Sequence, residues 1–292
     1  MPSTAVIRTF IREITTRERS PRCTEPDLVM DDPEKVAAYI KAGLEHGVMA
    51  PVYLYHCAQI CEVIRPGDHV IDLGCGPATQ LAMVARLNPD TRFTGVDLSD
   101  DMLNQARQHC ADMGLENVDF VQQDVSDLAH FATDSVDAVM STVALHHLPD
   151  LSTLDATFAE VARVLRPGGG LYLLDFGHLK SEKSIEAFAY QYADRQSELF
   201  TLDYLYSLRA AFSRNEFAQL TQRHLQGRAR LYSTFGMPFM MAVKSPARGG
   251  EPDARVLQEL AHIKEALPAH HQTDLADLTT FFRLGGLRAS LL

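Results

Sequence analysis

The stretch Val70-Ile71-Asp72-Leu73-Gly74-Cys75-Gly76-Pro77 constrains the fold of this chain more than any other. An apolar run ends in an acid and then turns through two glycines. Beyond the turn, Gln80, Leu81, Val84 and Leu87 recur at the spacing of a buried helical stripe. The pattern predicts a strand, a glycine turn and a helix. Glycine lets the backbone of such a turn approach a bound molecule, because no Cβ stands in the way.

A second strand is predicted over Arg92 to Asp97, and its closing acid falls 23 residues past Gly74. A carboxylate about 20 residues past a glycine turn is placed to accept from both hydroxyls of a ribose. The two features together point to a ligand with an adenosine-like ribose. A nicotinamide cofactor is the competing reading. It is disfavoured because Thr79 stands where a third glycine or alanine is usual in that turn.

Five motifs in fixed order narrow the choice: Asp72-Leu73-Gly74-Cys75-Gly76, Gly95-Val96-Asp97-Leu98-Ser99, Val121-Gln122-Gln123-Asp124-Val125, Ser141 to Leu148, and Leu165-Arg166-Pro167-Gly168-Gly169. Over roughly residues 66 to 244 the chain thereby resembles the class I S-adenosylmethionine-dependent methyltransferases. The resemblance implies S-adenosyl-L-methionine as cofactor and S-adenosyl-L-homocysteine as product. It places Asp72, Gly74, Cys75 and Gly76 at the methionine end and Asp97 on the ribose. Asp124 falls near the adenine amino group and Val125 against the ring. Leu98, Met102 and Ser141 complete the expected cofactor contacts. Cys75 is expected to offer its backbone while its thiol packs.

Composition excludes some partners. The chain has 292 residues and a formal charge of −11. Nucleic-acid binders usually need a basic footprint, so no nucleic-acid partner is expected. Cys23, Cys57, Cys61, Cys75 and Cys110 are odd in number and scattered, which argues against a disulfide framework. Cys57 and Cys61 are expected to share a helix face as thiols, and no metal site is expected. No run approaches the ~18 apolar residues of a membrane span, and no continuous apolar stretch follows the first charges as in a signal peptide. Ile7, Phe10, Ile11 and Ile14 form a helical stripe among Arg8, Arg12 and Arg17, read as a packing helix or active-site lid, with membrane association as the minor alternative. The expectation is a cytoplasmic enzyme without a membrane partner.

The expected fold is an α/β, Rossmann-like, doubly wound sheet of seven strands, mostly parallel with an antiparallel last strand. Residues 1–66 read as an N-terminal helical cap, with a helix start at Asp31-Asp32-Pro33. Residues 67–244 read as the methyltransferase core, with an aromatic insertion at 176–212 that builds the acceptor pocket. Residues 245–292 read as a linker and two helices. These cover the site, pack on the core or form a homodimer.

A sulfonium methyl is already electrophilic, so alignment and exclusion of water supply much of the catalysis, ~7–11 kcal/mol from positioning. A base is needed only when the acceptor arrives protonated. His146 and His147 are the first candidates, and Asp175 at the end of the fifth strand is a second one. Tyr204, Tyr206 and Arg209 are the expected contacts of a small-molecule acceptor, whose N, O, S or C atom is left open. If Arg195 and Arg209 are structural instead, Asp194, Glu198 and Asp203 are the expected partners. A protein or RNA methyltransferase and a non-catalytic cofactor-binding partner protein are the alternatives.

Overall fold

Apolar strands alternating with amphipathic helices bury both faces of a sheet, and the computed structural model has this form. It describes residues 4–17, 19–26, 34, 42, 47–248 and 253–292. The strands are β1 (His69–Leu73), β2 (Arg92–Asp97), β3 (Val118–Gln122), β4 (Val136–Thr142), β5 (Leu165–Phe176), β6 (Arg230–Ser233) and β7 (Met240–Lys244). Their order across the sheet is β3-β2-β1-β4-β5-β7-β6. β7 runs antiparallel to β5 and β6, while the remaining pairs are parallel. This is the seven-stranded arrangement read from the sequence. β2 leaves β1 on one side and β4 on the other, which opens a crevice at the carboxyl ends of the strands.

Two apolar layers cover the sheet. On one side lie α2 (Ala50–Cys61), α3 (Thr79–Leu87) and α4 (Asp100–Asp112), with Leu54, Leu81 and Leu103 fully buried. On the other lie α5 (Leu151–Val164) and α8 (Arg214–His224), with Phe158 packed edge-on against Phe217. Local chemistry sets the helix ends. The Ser99 side chain accepts from Met102 N to start α4, and Gly114 turns the chain beyond it at φ +67°. Ser213 and Glu216 form the capping box of α8. The 176–212 insertion holds α6 (Glu182–Ala189) and α7 (Glu198–Ala210).

Two details depart from the sequence reading. The Leu165 to Gly169 motif, which resembles a turn before a strand, already belongs to β5. Pairing with β4 slips between Val136 and Ala138, and this irregularity absorbs the extra residues. Residues before the core are also not helical throughout. α1 (Thr4–Thr15) is followed by a strap, residues 19–26, with no helix or strand. The start expected at Asp31-Asp32-Pro33 lies outside the described residues.

The C-terminal helices α9 (Ala254–Ala266) and α10 (Ala269–Leu284) pack on the core. Phe282 is fully buried and stacks on Tyr55 of α2 with ring centroids 5.1 Å apart. At the end of β7, Lys244 donates to Gln59 Oε1 at 2.6 Å and pairs with Glu62. The five cysteines are free thiols.

Candidate active site

The glycine turn sits where β1 meets the crevice. Gly74 and Gly76 adopt φ of +68° and +52°, a region that L side chains rarely enter. A Cβ on Gly74 would fall 2.5 Å from the Ala144 Cβ, whereas nothing lies within 4 Å of one on Gly76. One glycine therefore lets the turn close against the loop after β4, and the other faces open space. The Cys75 thiol packs inward: a Cβ on Gly95 of β2 would lie 2.8 Å from its Sγ.

Asp97 ties these parts together. Its Oδ2 accepts from Gly76 N at 2.8 Å and its Oδ1 from Ser99 N at 3.0 Å. Each carboxylate oxygen keeps a second lone pair for a ribose hydroxyl. Asp72 is buried, and its Oδ1 has no hydrogen-bond partner. Burial, reinforced by the Asp97 charge, pushes its carboxyl well above the usual range. A buried polar atom left unpaired is what a bound ligand could satisfy.

The remaining expected cofactor residues are placed unevenly. Leu98 is exposed beside Asp97, and Met102 is buried at the start of α4. Asp124 is exposed and accepts from Ser126 N and Oγ at 2.8 and 2.7 Å, while Val125 is half-buried. Ser141 is fully buried and donates to Leu73 O at 2.7 Å, so its hydroxyl braces β4 against β1. Two residues on, Val143 holds φ +55°, a strained conformation for a β-branched side chain, at the loop that meets Gly74.

That loop carries the histidine pair in a single 3₁₀ turn, Leu145–His147. His146 is buried, and its Nδ1 lies 2.7 Å from Asp175 Oδ1 at the end of β5. Asp175 Oδ2 accepts the His146 backbone N–H at 2.8 Å, and Oδ1 accepts that of Phe176 at 2.6 Å. The other ring nitrogen, Nε2, has no hydrogen bond and lies 3.6 Å from Glu25 Oε1. His147 Nδ1 lies 2.9 Å from Glu25 Oε2, and its side chain retains 30% exposure. Burial works against the charged His147 ring, but Glu25 outweighs it and raises the imidazole above its ordinary value. Burial likewise opposes a charged Glu25, yet its bond to His147 and the neighbouring His146 hold its carboxyl at about 2.

Glu25 and Arg22 were missed by sequence reasoning, because the strap has neither periodicity nor motif. Glu25 also accepts from Ser207 Oγ of α7 at 2.8 Å. Arg22 donates to the carbonyls of His146, Leu148, Pro149 and Ala210 at 2.5–3.0 Å and stacks over Phe212. The strap thus fastens the histidine loop to the insertion. Glu25, His146 and His147 place ligand atoms within 4.8 Å of one another, a spacing that could hold a cation. The sequence suggested no such group, since Glu25 joins the pair only through the fold.

Beside this cluster lies an aromatic pocket of about 140 Å³. Phe176, Phe188, Phe200, Tyr204, Phe239 and Phe281 line it. The Phe176 ring stands 5.4 Å from both His146 and Tyr204. A larger pocket of about 1260 Å³ shares Val48, Gln196 and Phe200 with it. Tyr204 thus lines the aromatic pocket. Tyr206 is exposed, Arg209 pairs with Glu182 on α6, and neither lines the pocket. α6 and α7 pack against each other, which gives Arg209 a partner other than the three acids expected from proximity in sequence. Arg195 lies near Asp194 and Asp274, at 3.9 and 4.0 Å.

Residues 70–169 match a methyltransferase domain family. The chain is 36% identical over 118 residues to the fatty-acid O-methyltransferase of Mycolicibacterium smegmatis, covering 40% of each chain. It is 35% identical over 126 residues to the 27-O-demethylrifamycin SV methyltransferase of Amycolatopsis mediterranei, covering 42% of this chain and 44% of that one. It thus spans less than half the length of these curated relatives. The structure of the plantazolicin methyltransferase BpumL with S-adenosylhomocysteine shares the fold, with a TM-score of 0.55 at 15% identity over 91% of this chain and 92% of that one. Residues 70–169 thus match a methyltransferase domain, set in a sheet with the seven-stranded order expected from the sequence. The unpaired Asp72 atom, the open space at Gly76 and the Asp97 carboxylate fit the S-adenosyl-L-methionine that the sequence resemblance implies.

Proposed function

We propose that the protein methylates a small-molecule acceptor held in the aromatic pocket beside the histidine loop. The observation that carries this reading is the pocket itself, small, aromatic and joined to His146 through Phe176. A pocket of this kind suits a compact apolar group rather than a polymer surface. Relatives named for fatty-acid and rifamycin methylation support the same class of acceptor.

S-adenosyl-L-methionine supplies an electrophilic methyl group, and the chain has to align the acceptor and receive its proton. Asp72, Gly74, Gly76 and Asp97 hold the cofactor in this reading, with Leu98, Met102, Asp124 and Val125 around its adenosine. Asp175 and Glu25 orient the two imidazoles. His147 is the base for an acceptor that arrives protonated, because its side chain is partly open and Glu25 stabilises the imidazolium that forms. His146, buried between two carboxylates, positions the loop. Tyr204 and Phe176 pack on the acceptor.

Methyl-labelled cofactor, incubated with the protein and a metabolite extract, tests the reading by mass spectrometry. A labelled metabolite is expected. Label appearing only in protein or RNA would overturn it.

A further inference from the structure

α1 packs on the core through Phe10 but carries its isoleucines on the opposite side. Beside Phe10 its inward face is polar: Thr9 and Glu13 are buried, and Glu13 accepts from Lys180 N and Ser181 N at 2.8 and 3.1 Å. Its outward face holds Ile7, Ile11 and Ile14, which are 49%, 55% and 57% exposed. Steps of four and three residues put them on a single stripe. Surface helices ordinarily turn such a stripe towards the core.

The apolar surface continues past the helix. Phe10 pairs with the ring of Phe235 at 6.4 Å, and Phe235 is itself exposed. Phe235 N donates to Phe281 O at 3.1 Å, and Leu284 is exposed three residues further along α10. Cations border the stripe although the chain as a whole carries −11. Arg8 and Arg17 are exposed, and the Arg12 guanidinium reaches Lys183 O at 2.9 Å, beside Lys180. Among the described acids nearby, Glu13 is engaged on the loop before α6 and Glu182 with Arg209, while Glu186 of α6 is exposed.

We infer that α1 docks the protein on an anionic lipid surface. Isoleucines at the headgroup boundary with arginines reaching back to lipid phosphates are how an amphipathic helix lies on a membrane. No described helix is long and apolar enough to cross one. A second copy of the chain fits less well. Three half-exposed isoleucines, Phe235 and Leu284 offer roughly 500 Å², short of the ~800 Å² each partner contributes to a stable interface. Docking is independent of the acceptor reading, although α1 leads directly into the strap that holds the histidine loop.

Co-sedimentation of the full chain with phosphatidylcholine vesicles, with and without phosphatidylserine, tests the inference. Binding about tenfold stronger to the phosphatidylserine vesicles is expected, falling as salt rises. The Ile11→Gln/Ile14→Gln variant should lose about tenfold of that binding while keeping its melting temperature. Arg8→Glu should lose the preference for phosphatidylserine. Absence of vesicle binding, equal binding to both compositions, or binding unchanged in these variants would overturn it. So would a dimer in sedimentation velocity that the double variant dissociates.

Discussion

His146 Nδ1 lies 2.7 Å from Asp175 Oδ1, and the same carboxylate also accepts the backbone N–H of His146. One acid at the end of β5 therefore sets both the ring and the main chain of the loop after β4. The neighbouring His147 is held separately, by Glu25 from the strap. Two adjacent histidines thus divide into one fixed by the sheet and one fixed by the N-terminal segment.

That division gives different expected outcomes for the two residues. His147→Ala should lower kcat by roughly 10²–10⁴ for a protonated acceptor, with cofactor affinity unchanged in calorimetry. Asp175→Asn should disturb the loop as a whole, raising KM and lowering the melting temperature together. Equal turnover in His147→Ala and the unmodified protein would remove His147 as the base.

The strap contact should depend on pH. Glu25 has a depressed folded value, about 2, so its contribution is present above the ordinary carboxylate range and is lost as pH falls towards that value. His147 has a raised value, so its contribution is full below the ordinary imidazole range and is lost as pH rises through the raised value. Asp175 and Asp203 add to the raising of His147. Glu25→Gln should therefore cost most stability in mildly acidic solution and least in alkaline solution. Thermal melts across pH check this.

Asp97→Ala should weaken S-adenosylhomocysteine binding by at least about tenfold, or ~1.4 kcal/mol. It removes a ribose acceptor and frees the Gly76 and Ser99 amides. Calorimetry against the parent measures it. Unchanged affinity would overturn the ribose assignment.

Gly74→Ala and Gly76→Ala should separate strain from crowding. Both residues adopt positive φ, but only the Gly74 methyl would collide with Ala144. Gly74→Ala should lower the melting temperature more than Gly76→Ala, which carries only the backbone cost of order 1–3 kcal/mol.

His56 predicts acid sensitivity. It is fully buried and bonded to Tyr172 OH at 2.6 Å, and burial lowers its value to about 3. The unfolded chain then binds the extra proton between that value and about 6.5, so stability falls with pH there by up to ~1.4 kcal/mol per unit. His56→Asn keeps a polar atom near the Tyr172 hydroxyl and should flatten the slope in urea titrations.

What could be read from the sequence was local. The Asp72 to Pro77 turn, the Asp97 acid 23 residues past Gly74, the Ser99 cap and the Ser213–Glu216 capping box each depend on neighbouring backbone and short spacings. Strand period and turn chemistry determined the α/β sheet and the cofactor crevice by themselves. Tertiary structure alone decided that Glu25 meets residues more than a hundred positions away, that Arg209 pairs with Glu182, and that Ser141 braces β1. It also decided that the isoleucines of α1 face outward. Periodicity shows that a helix has an apolar side but not which way that side turns. The direction depends on what the other face meets, and here a buried carboxylate accepting the amides before α6 holds the polar face inward.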